Sequence, residues 1–160
     1  MTITKGERMP DGDFTVMRDG QPVTLSAADL FADKKVVFVS VPGAFTPTCS
    51  MQHLPGLIDH ADAILAQGVD TIACVAVNDV FVMSAWGRHL GVEDKITMLA
   101  DGNGDYTRAL GLELDGRKIG LGMRGQRFVI IAENGVVTRI AVEEPARFDV
   151  TRAESILEML

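Results

Sequence analysis

Cys49 is one of only two cysteines in the 160-residue chain, and the residues before it predict that it lies at the start of a helix. Thr46 is typical of an N-cap, and Pro47 suits the first helical position, where a missing N–H is tolerated. Cys49 then falls in the first turn, beside unpaired backbone N–H groups and the positive end of the helix dipole. Such a position stabilises a thiolate, the nucleophilic form of cysteine. The spacing alone leaves two interpretations open, a reactive thiol and a small buried side chain.

The other candidate residues are less suited to catalysis than Cys49. Cys74 lies within a continuous apolar run, which predicts a buried and inert thiol. His53 follows Cys49 by four residues, and we interpret it as structural. The sequence contains no Cys-x-x-Cys pair, and neither His60 nor His89 has a partner at metal-ligand spacing. We therefore predict neither a metal site nor a bound cofactor.

The elements that position Cys49 follow from hydrophobic periodicity. A continuous apolar segment over 36–41 predicts a buried strand that ends at Pro42. Apolar residues at helical spacing then continue to Gly68, the predicted C-cap of the helix that Cys49 begins. Pro55 interrupts this helix and is expected to kink it, because proline cannot donate the backbone hydrogen bond.

The remaining segments predict a single α/β domain over residues 1–160. The apolar strands 36–41 and 71–77 suit a parallel sheet buried on both faces, and Asn134-Gly135 marks a late antiparallel hairpin. This combination favours a thioredoxin-like fold, with a mixed central β-sheet flanked by helices, over a flavodoxin-like sheet with further helical crossovers. The other predicted elements are an N-terminal β-hairpin over 14–25, helices over 27–31, 80–90, 105–110 and 152–159, and strands over 96–99, 127–133 and 136–142.

Composition excludes several classes of function. The net charge of −7 disfavours a nucleic-acid partner, which would require clustered Lys and Arg. No segment approaches the roughly 18 consecutive apolar residues of a membrane span. Residues 1–10 lack the apolar stretch of a secretory signal, and the two cysteines do not form a secreted disulfide framework. We therefore expect a cytoplasmic protein.

The sequence around Cys49 resembles a known active-site signature. Residues 41–50, Val-Pro-Gly-Ala-Phe-Thr-Pro-Thr-Cys-Ser, contain the Pro-x-x-x-Thr-x-x-Cys motif of the peroxiredoxins. Their continuation over 51–56, Met-Gln-His-Leu-Pro-Gly, is similar to the type II subfamily, which includes the atypical two-cysteine members. The similarity extends along most of the chain, including residues 77–79, Met83, 85–86, 99–102 and 120–128.

The resemblance implies a role for four residues. Cys49 would be the peroxidatic cysteine, and Thr46 would hydrogen-bond its thiolate and the incoming peroxide. Pro42 would shield the sulfur from water, and Arg127 would be brought over the thiolate from a distant strand. Family members have serine where this chain has Gly125, so a local hydrogen bond near Arg127 is not expected here.

The resemblance also implies substrates and partners. The expected substrates are hydrogen peroxide and organic hydroperoxides, with Phe45 and Leu121 predicted to shape access to the site. No cysteine follows Cys74, so we expect a one-cysteine cycle in which an external thiol reduces the sulfenic acid. Glutathione with glutaredoxin is the first expectation by subfamily resemblance, and thioredoxin the second. A homodimer packing near the active-site loops is expected, and Phe81 and Trp86 are candidates for its interface.

Two alternative functions compete with this interpretation. A thioredoxin-type thiol–disulfide oxidoreductase would share the fold, but the chain lacks the second cysteine of the Cys-x-x-Cys motif. A non-catalytic redox sensor or holdase would show oxidation of Cys49 without multiple turnovers when a thiol reductant is supplied.

Overall fold

A seven-stranded mixed sheet forms the centre of the computed structural model, which describes all residues from 1 to 160. Its strands in chain order are β1 (Asp13–Arg18), β2 (Gln21–Ser26), β3 (Lys35–Ser40), β4 (Thr71–Ala76), β5 (Thr97–Ala100), β8 (Phe128–Glu133) and β9 (Val136–Val142). The remaining two, β6 (Glu113–Gly116) and β7 (Gly122–Gly125), form a separate small hairpin. Across the large sheet the order is β2-β1-β5-β4-β3-β8-β9.

The register of the central strands determines what lies beside Cys49. Strand β3 runs parallel to β4, with Val39 opposite Cys74. On its other side β3 pairs antiparallel with β8, with Ser40 opposite Phe128. The carboxyl end of β3, where the Cys49 loop begins, therefore lies beside the start of β8, which Arg127 directly precedes.

Five α-helices cover the two faces of the sheet: α1 (Ala27–Phe31), α2 (Leu54–Leu65), α3 (Val80–Leu90), α4 (Asp105–Leu110) and α5 (Ala153–Met159). One apolar core joins α2, α3 and α5 to the sheet and includes Cys49, Trp86 and Ile156. The other joins α1 and α4 to the opposite face and includes Phe38 and Tyr106. Because both faces are covered, β3 and β4 are apolar between their end residues, as is typical of parallel strands buried on both sides. None of the helices combines the length and apolar character needed to cross a membrane.

The predicted α/β architecture is confirmed, with small shifts at element ends. The N-terminal hairpin turns at Asp19 and Gly20, both of which have positive φ, as a tight hairpin turn requires. The β6–β7 hairpin, with a short 3-10 turn over Arg117–Ile119 between its strands, was not predicted. Its two strands are short and consist mostly of polar residues and glycine, so they lack the hydrophobic alternation by which a strand is recognised.

Candidate active site

Cys49 lies in the first turn of the helix that follows β3, as predicted. The first helical residue is Pro47, so Cys49 is the third. Its side chain is fully buried. From Cys49 to His53 the helix is wider than an α-helix, and the N–H of Leu54 bonds to the carbonyl of Cys49, five residues earlier.

The helix is irregular next to Pro55, where the sequence predicted a kink. Pro55 lies in the first turn of α2, which continues directly from the π-helical turn over Cys49–His53. Proline's missing donor is thus accommodated where the hydrogen-bond pattern changes from π to α.

Thr46 precedes the first helical residue, but its side chain does not cap the helix. Its hydroxyl donates to the carbonyl oxygen of Gly43 at 2.7 Å instead of accepting a first-turn N–H. Its carbonyl accepts from the N–H of Ser50 at 2.9 Å and so begins the helical ladder. The predicted side-chain cap is therefore wrong: the hydroxyl is turned towards the 42–46 loop, and its oxygen accepts no first-turn N–H. With its proton engaged, the hydroxyl oxygen can still accept a hydrogen bond.

Arg127 contacts the sulfur of Cys49 directly. Its Nη2 donates to Sγ at 3.1 Å, although the two residues are 78 positions apart in sequence. The antiparallel register of β3 and β8 explains this meeting, since it places the start of β8 beside the loop that follows β3. A fixed guanidinium at this distance stabilises negative charge on the sulfur.

His53 holds the other side of the same guanidinium. The Nδ1 of His53 lies 2.7 Å from Nη1 of Arg127, and Nε2 lies 3.0 Å from the carbonyl oxygen of Thr151. A carbonyl can only accept, so Nε2 carries the proton and Nδ1 accepts from Arg127. Burial, and then the positive charge of Arg127, lower the pKa of His53 to about 3. His53 is therefore neutral at physiological pH. The sequence interpretation of His53 as structural omitted this contact.

A cavity of about 400 Å³ opens beside this group. Pro42, Leu121 and Arg127 line it, together with Leu114 and Ile119 from the region of the β6–β7 hairpin. Arg124 supports its wall by donating to the carbonyls of Leu121 at 2.8 Å and Pro42 at 3.3 Å.

Cys74 lies within the sheet, on the central strand β4. Its side chain is fully buried, and both cysteines are free thiols. Burial, reinforced by the nearby Cys49, raises the pKa of Cys74 far above its usual range. Cys74 therefore stays protonated and is a poor nucleophile.

Comparison with known proteins identifies the family of this site. The family model described as Redoxin matches residues 4–157. Peroxiredoxin-2C of Oryza sativa subsp. japonica is 47% identical over 160 residues, covering 99% of this chain and 98% of that protein. Chloroplastic peroxiredoxin-2E of Arabidopsis thaliana is 42% identical, covering 99% of this chain and 70% of that protein. The crystal structure of reduced Prx3 from Vibrio vulnificus in complex with hydrogen peroxide is 49% identical, with a TM-score of 0.95 and 99% of each chain covered.

This chain belongs to the peroxiredoxin family. Its relatives fit the type II subfamily, and its fold is the thioredoxin-like fold predicted from the sequence. As a peroxiredoxin it is a thiol peroxidase, an oxidoreductase that acts on peroxides.

Not every residue predicted for the peroxiredoxin site lies at the cavity. Leu121 lines it, but Phe45 points elsewhere, with its ring centroid 5.7 Å from that of His89 and 6.5 Å from that of Trp86. Phe45 also has a φ of 62°, unusual for a bulky residue. Its part in peroxide access therefore has no geometric support here.

Sequence reasoning missed three residues around the peroxiredoxin site. Arg124 contacts the Pro42 loop, Thr151 accepts from His53, and Glu143 binds the segment that contains Thr151. Each depends on a contact across the fold, and no local spacing indicates it. Arg124 had a partial signal, since it lies within the 120–128 region of family similarity.

Proposed function

We propose that this peroxiredoxin reduces hydrogen peroxide and organic hydroperoxides through a one-cysteine cycle, with Cys49 as the reacting thiol. The observation that carries the proposal is the 3.1 Å contact between Nη2 of Arg127 and Sγ of Cys49. A buried sulfur held against a fixed cation is arranged to react as a thiolate.

In the first half of the cycle, the Cys49 thiolate attacks one oxygen of the peroxide. An S–O bond forms, the O–O bond breaks, and the leaving alkoxide or hydroxide takes a proton to give an alcohol or water. Cys49 is thereby oxidised to a sulfenic acid while the peroxide is reduced. A free thiol with a pKa of about 8.5 is roughly 7% ionised near pH 7.4, so full ionisation contributes only about fourteenfold. Stabilisation of the breaking O–O bond must supply the rest.

Arg127 and Thr46 are the groups that would supply this stabilisation. Arg127 lines the cavity and contacts the sulfur, so its guanidinium can hold the peroxide oxygens beside the thiolate. The Thr46 hydroxyl donates a hydrogen bond to the carbonyl oxygen of Gly43. Its own oxygen is then free to accept a hydrogen bond from the terminal O–H of the peroxide. Pro42 lies on the cavity wall, where its ring would exclude water from the sulfur.

The lining of the cavity supports organic hydroperoxides as substrates alongside hydrogen peroxide. Leu114, Ile119 and Leu121 provide apolar surface next to Arg127. An alkyl group would pack against these side chains while the hydroperoxide head reaches the guanidinium.

In the second half of the cycle, an external thiol reduces the sulfenic acid. The first thiol forms a mixed disulfide with Cys49 and releases water, and a second thiol displaces Cys49 as a thiol while forming a disulfide with the first. Cys74 would be unsuitable as an internal resolving residue, since it is buried in β4 and its pKa is strongly raised. We favour glutathione with glutaredoxin as the reductant, with thioredoxin as the second candidate.

A peroxide-consumption assay tests the cycle. Wild type, Cys49→Ser and Cys74→Ser would each be supplied with glutathione and glutaredoxin, or with thioredoxin and its reductase. We expect Cys49→Ser to be inactive and Cys74→Ser to keep the wild-type rate. Loss of turnover in a folded Cys74→Ser variant would disprove the one-cysteine cycle, and oxidation of Cys49 without repeated turnover would indicate a sensor instead.

We further propose that the chain forms a homodimer through the surface next to the active-site loop. Phe45 is 51% exposed and Phe81 is 64% exposed, whereas Trp86 is fully buried and belongs to the core. Light scattering of wild type and Phe81→Asp tests this assembly. A dimer that the substitution dissociates supports the proposal, and a monomeric wild type contradicts it.

A further inference from the structure

Glu143 is a buried carboxylate close to the active site, and the proposed reaction gives it no role. It is 7% exposed. Its Oε2 accepts hydrogen bonds from the N–H of Asp149 at 2.6 Å, and from the N–H and hydroxyl of Thr151 at 2.9 Å and 2.8 Å. Burial alone would raise the pKa of Glu143, but these hydrogen bonds outweigh it and keep the pKa low. The carboxylate therefore stays charged and keeps the 149–151 segment closed onto β9.

This segment determines where His53 is held. The carbonyl of Thr151 accepts from Nε2 of His53 at 3.0 Å, which leaves Nδ1 to accept from Arg127 at 2.7 Å. The ring of Phe148, from the same stretch of chain, packs against both partners, with its centroid 4.9 Å from that of His53 and 5.7 Å from Cζ of Arg127. The contacts therefore run without interruption from Glu143 through Thr151, His53 and Arg127 to the sulfur of Cys49.

A second contact links Glu143 to Arg127 through the backbone. The N–H of Glu143 donates to the carbonyl oxygen of Arg127 at 2.9 Å. Glu143 thus contacts Arg127 by its main chain and the partner of His53 by its side chain. Only the side-chain contact with Thr151 depends on the carboxylate. A substitution can therefore break that contact and leave the backbone hydrogen bond to Arg127 intact.

We propose that Glu143 is a positioning residue of the peroxidase reaction, acting through Thr151 and His53 to hold the Arg127 guanidinium against Cys49. The inference rests on the proposed chemistry at Cys49. Glu143 does not contact the sulfur, and its contribution is the geometry of Arg127. Small displacements of such a group reduce rates strongly, because charge stabilisation depends on a fixed distance.

An exposed glutamate away from the cavity provides the control. Glu158 lies on α5, does not line the cavity, and its side chain makes no hydrogen bond or ion pair. Glu158→Ala therefore removes the same charge without disturbing Thr151 or the substrate cavity. Glu143→Gln provides the graded variant, since its amide oxygen can still accept from the same donors, although more weakly.

The experiment measures the oxidation of reduced protein by hydrogen peroxide in rapid mixing, with the remaining thiol counted after an acid quench. No reductant is present, so the first step is observed alone. We expect Glu143→Ala to slow this step on the order of ten- to a hundredfold and Glu143→Gln to give an intermediate rate. Glu158→Ala should stay within about twofold of wild type, as exposed substitutions usually do.

A double-mutant cycle with His53→Leu distinguishes an effect of Glu143 through His53 from a general loss of stability. If Glu143 acts through His53, adding Glu143→Ala to His53→Leu should slow oxidation by less than about twofold further. Independent, multiplicative effects of the two substitutions would overturn the inference, as would a wild-type rate in Glu143→Ala. Should Glu143→Ala fail to fold, Glu143→Met, which keeps the side-chain length but removes the acceptor, takes its place, and a wild-type rate in that variant would overturn the inference equally. Failure of the proposed function would be recognised separately, as a wild type that hydrogen peroxide does not oxidise.

Discussion

The guanidinium of Arg127 donates to Nδ1 of His53 at 2.7 Å while its other terminal nitrogen donates to Sγ of Cys49 at 3.1 Å. Because burial keeps His53 neutral, the histidine orients the cation without competing for its charge. The positive charge of Arg127 therefore remains available to stabilise negative charge on the sulfur of Cys49.

Replacing Arg127 should have the largest effect of any substitution that leaves Cys49 intact. Arg127→Met keeps a long side chain but removes the charge and both donors, so we expect peroxide oxidation to slow on the order of 10²- to 10³-fold. Stopped-flow measurement of the first step checks this. Arg139→Met, at an exposed position, is the control. Equal rates for the two variants would exclude Arg127 from the chemistry.

Replacing His53 should reduce activity less than replacing Arg127. His53→Leu fills similar space but leaves Nη1 of Arg127 without its acceptor. Losing a hydrogen bond to a charged group costs about 1.5–3 kcal/mol, which corresponds to roughly ten- to a hundredfold in rate if the loss falls on the transition state. The ratio of kcat to KM for hydrogen peroxide is the relevant measurement. An unchanged ratio would reduce His53 to a structural residue.

The stability of the fold should decrease as the pH falls below about 6.5, because of His53. Its pKa is about 3 in the folded chain against 6.5 for an unperturbed histidine, so between these values the unfolded chain binds the additional proton. The free energy of unfolding should then decrease by at most about 1.4 kcal/mol per pH unit. Urea unfolding between about pH 6.5 and 5 tests the slope, above the range where carboxylates titrate. His53→Leu should flatten the slope, and an equal slope in both proteins would assign it to other groups.

Cys74 should resist modification as long as the protein is folded. Its thiol is fully buried and its pKa is strongly raised. Iodoacetamide should therefore leave Cys74 unlabelled in the native protein and label it only after unfolding, as peptide mass spectrometry would show. Early labelling of Cys74 would reveal an opening of the sheet that the fold does not predict.

Introducing serine at Gly125 should destabilise this chain. A Cβ there would lie 3.0 Å from Oγ of Ser40 and 3.3 Å from Cγ2 of Thr107, so the position is already crowded. We expect Gly125→Ser to cost about 1–3 kcal/mol of unfolding free energy, the usual range for overpacking. Urea titration measures the cost. Adding Ser40→Ala should recover part of it, whereas no recovery would locate the strain elsewhere.

The sequence by itself determined the order of the seven main-sheet strands and the five helices, and the position of Cys49. Alternating or continuous apolar segments, Pro47 and Asn134-Gly135 are local signals, and local signals are readable from one chain. The family resemblance added the catalytic roles of Thr46 and Arg127. Local reasoning was wrong about the Thr46 side-chain cap, because the hydroxyl is turned towards the carbonyl oxygen of Gly43 in the preceding loop.

Only the tertiary structure decided how Arg127 is held. The antiparallel register of β3 and β8 brings Arg127 to Cys49, and His53 reaches Thr151 across 98 positions of sequence. The structure also placed Phe45 against α3 rather than at the cavity. Hydrogen bonds between such distant residues depend on the packing of the whole sheet and its helices, which no short-range pattern encodes. The sequence therefore located the reactive sulfur, and the fold supplied the charge and the supports that hold that charge beside it.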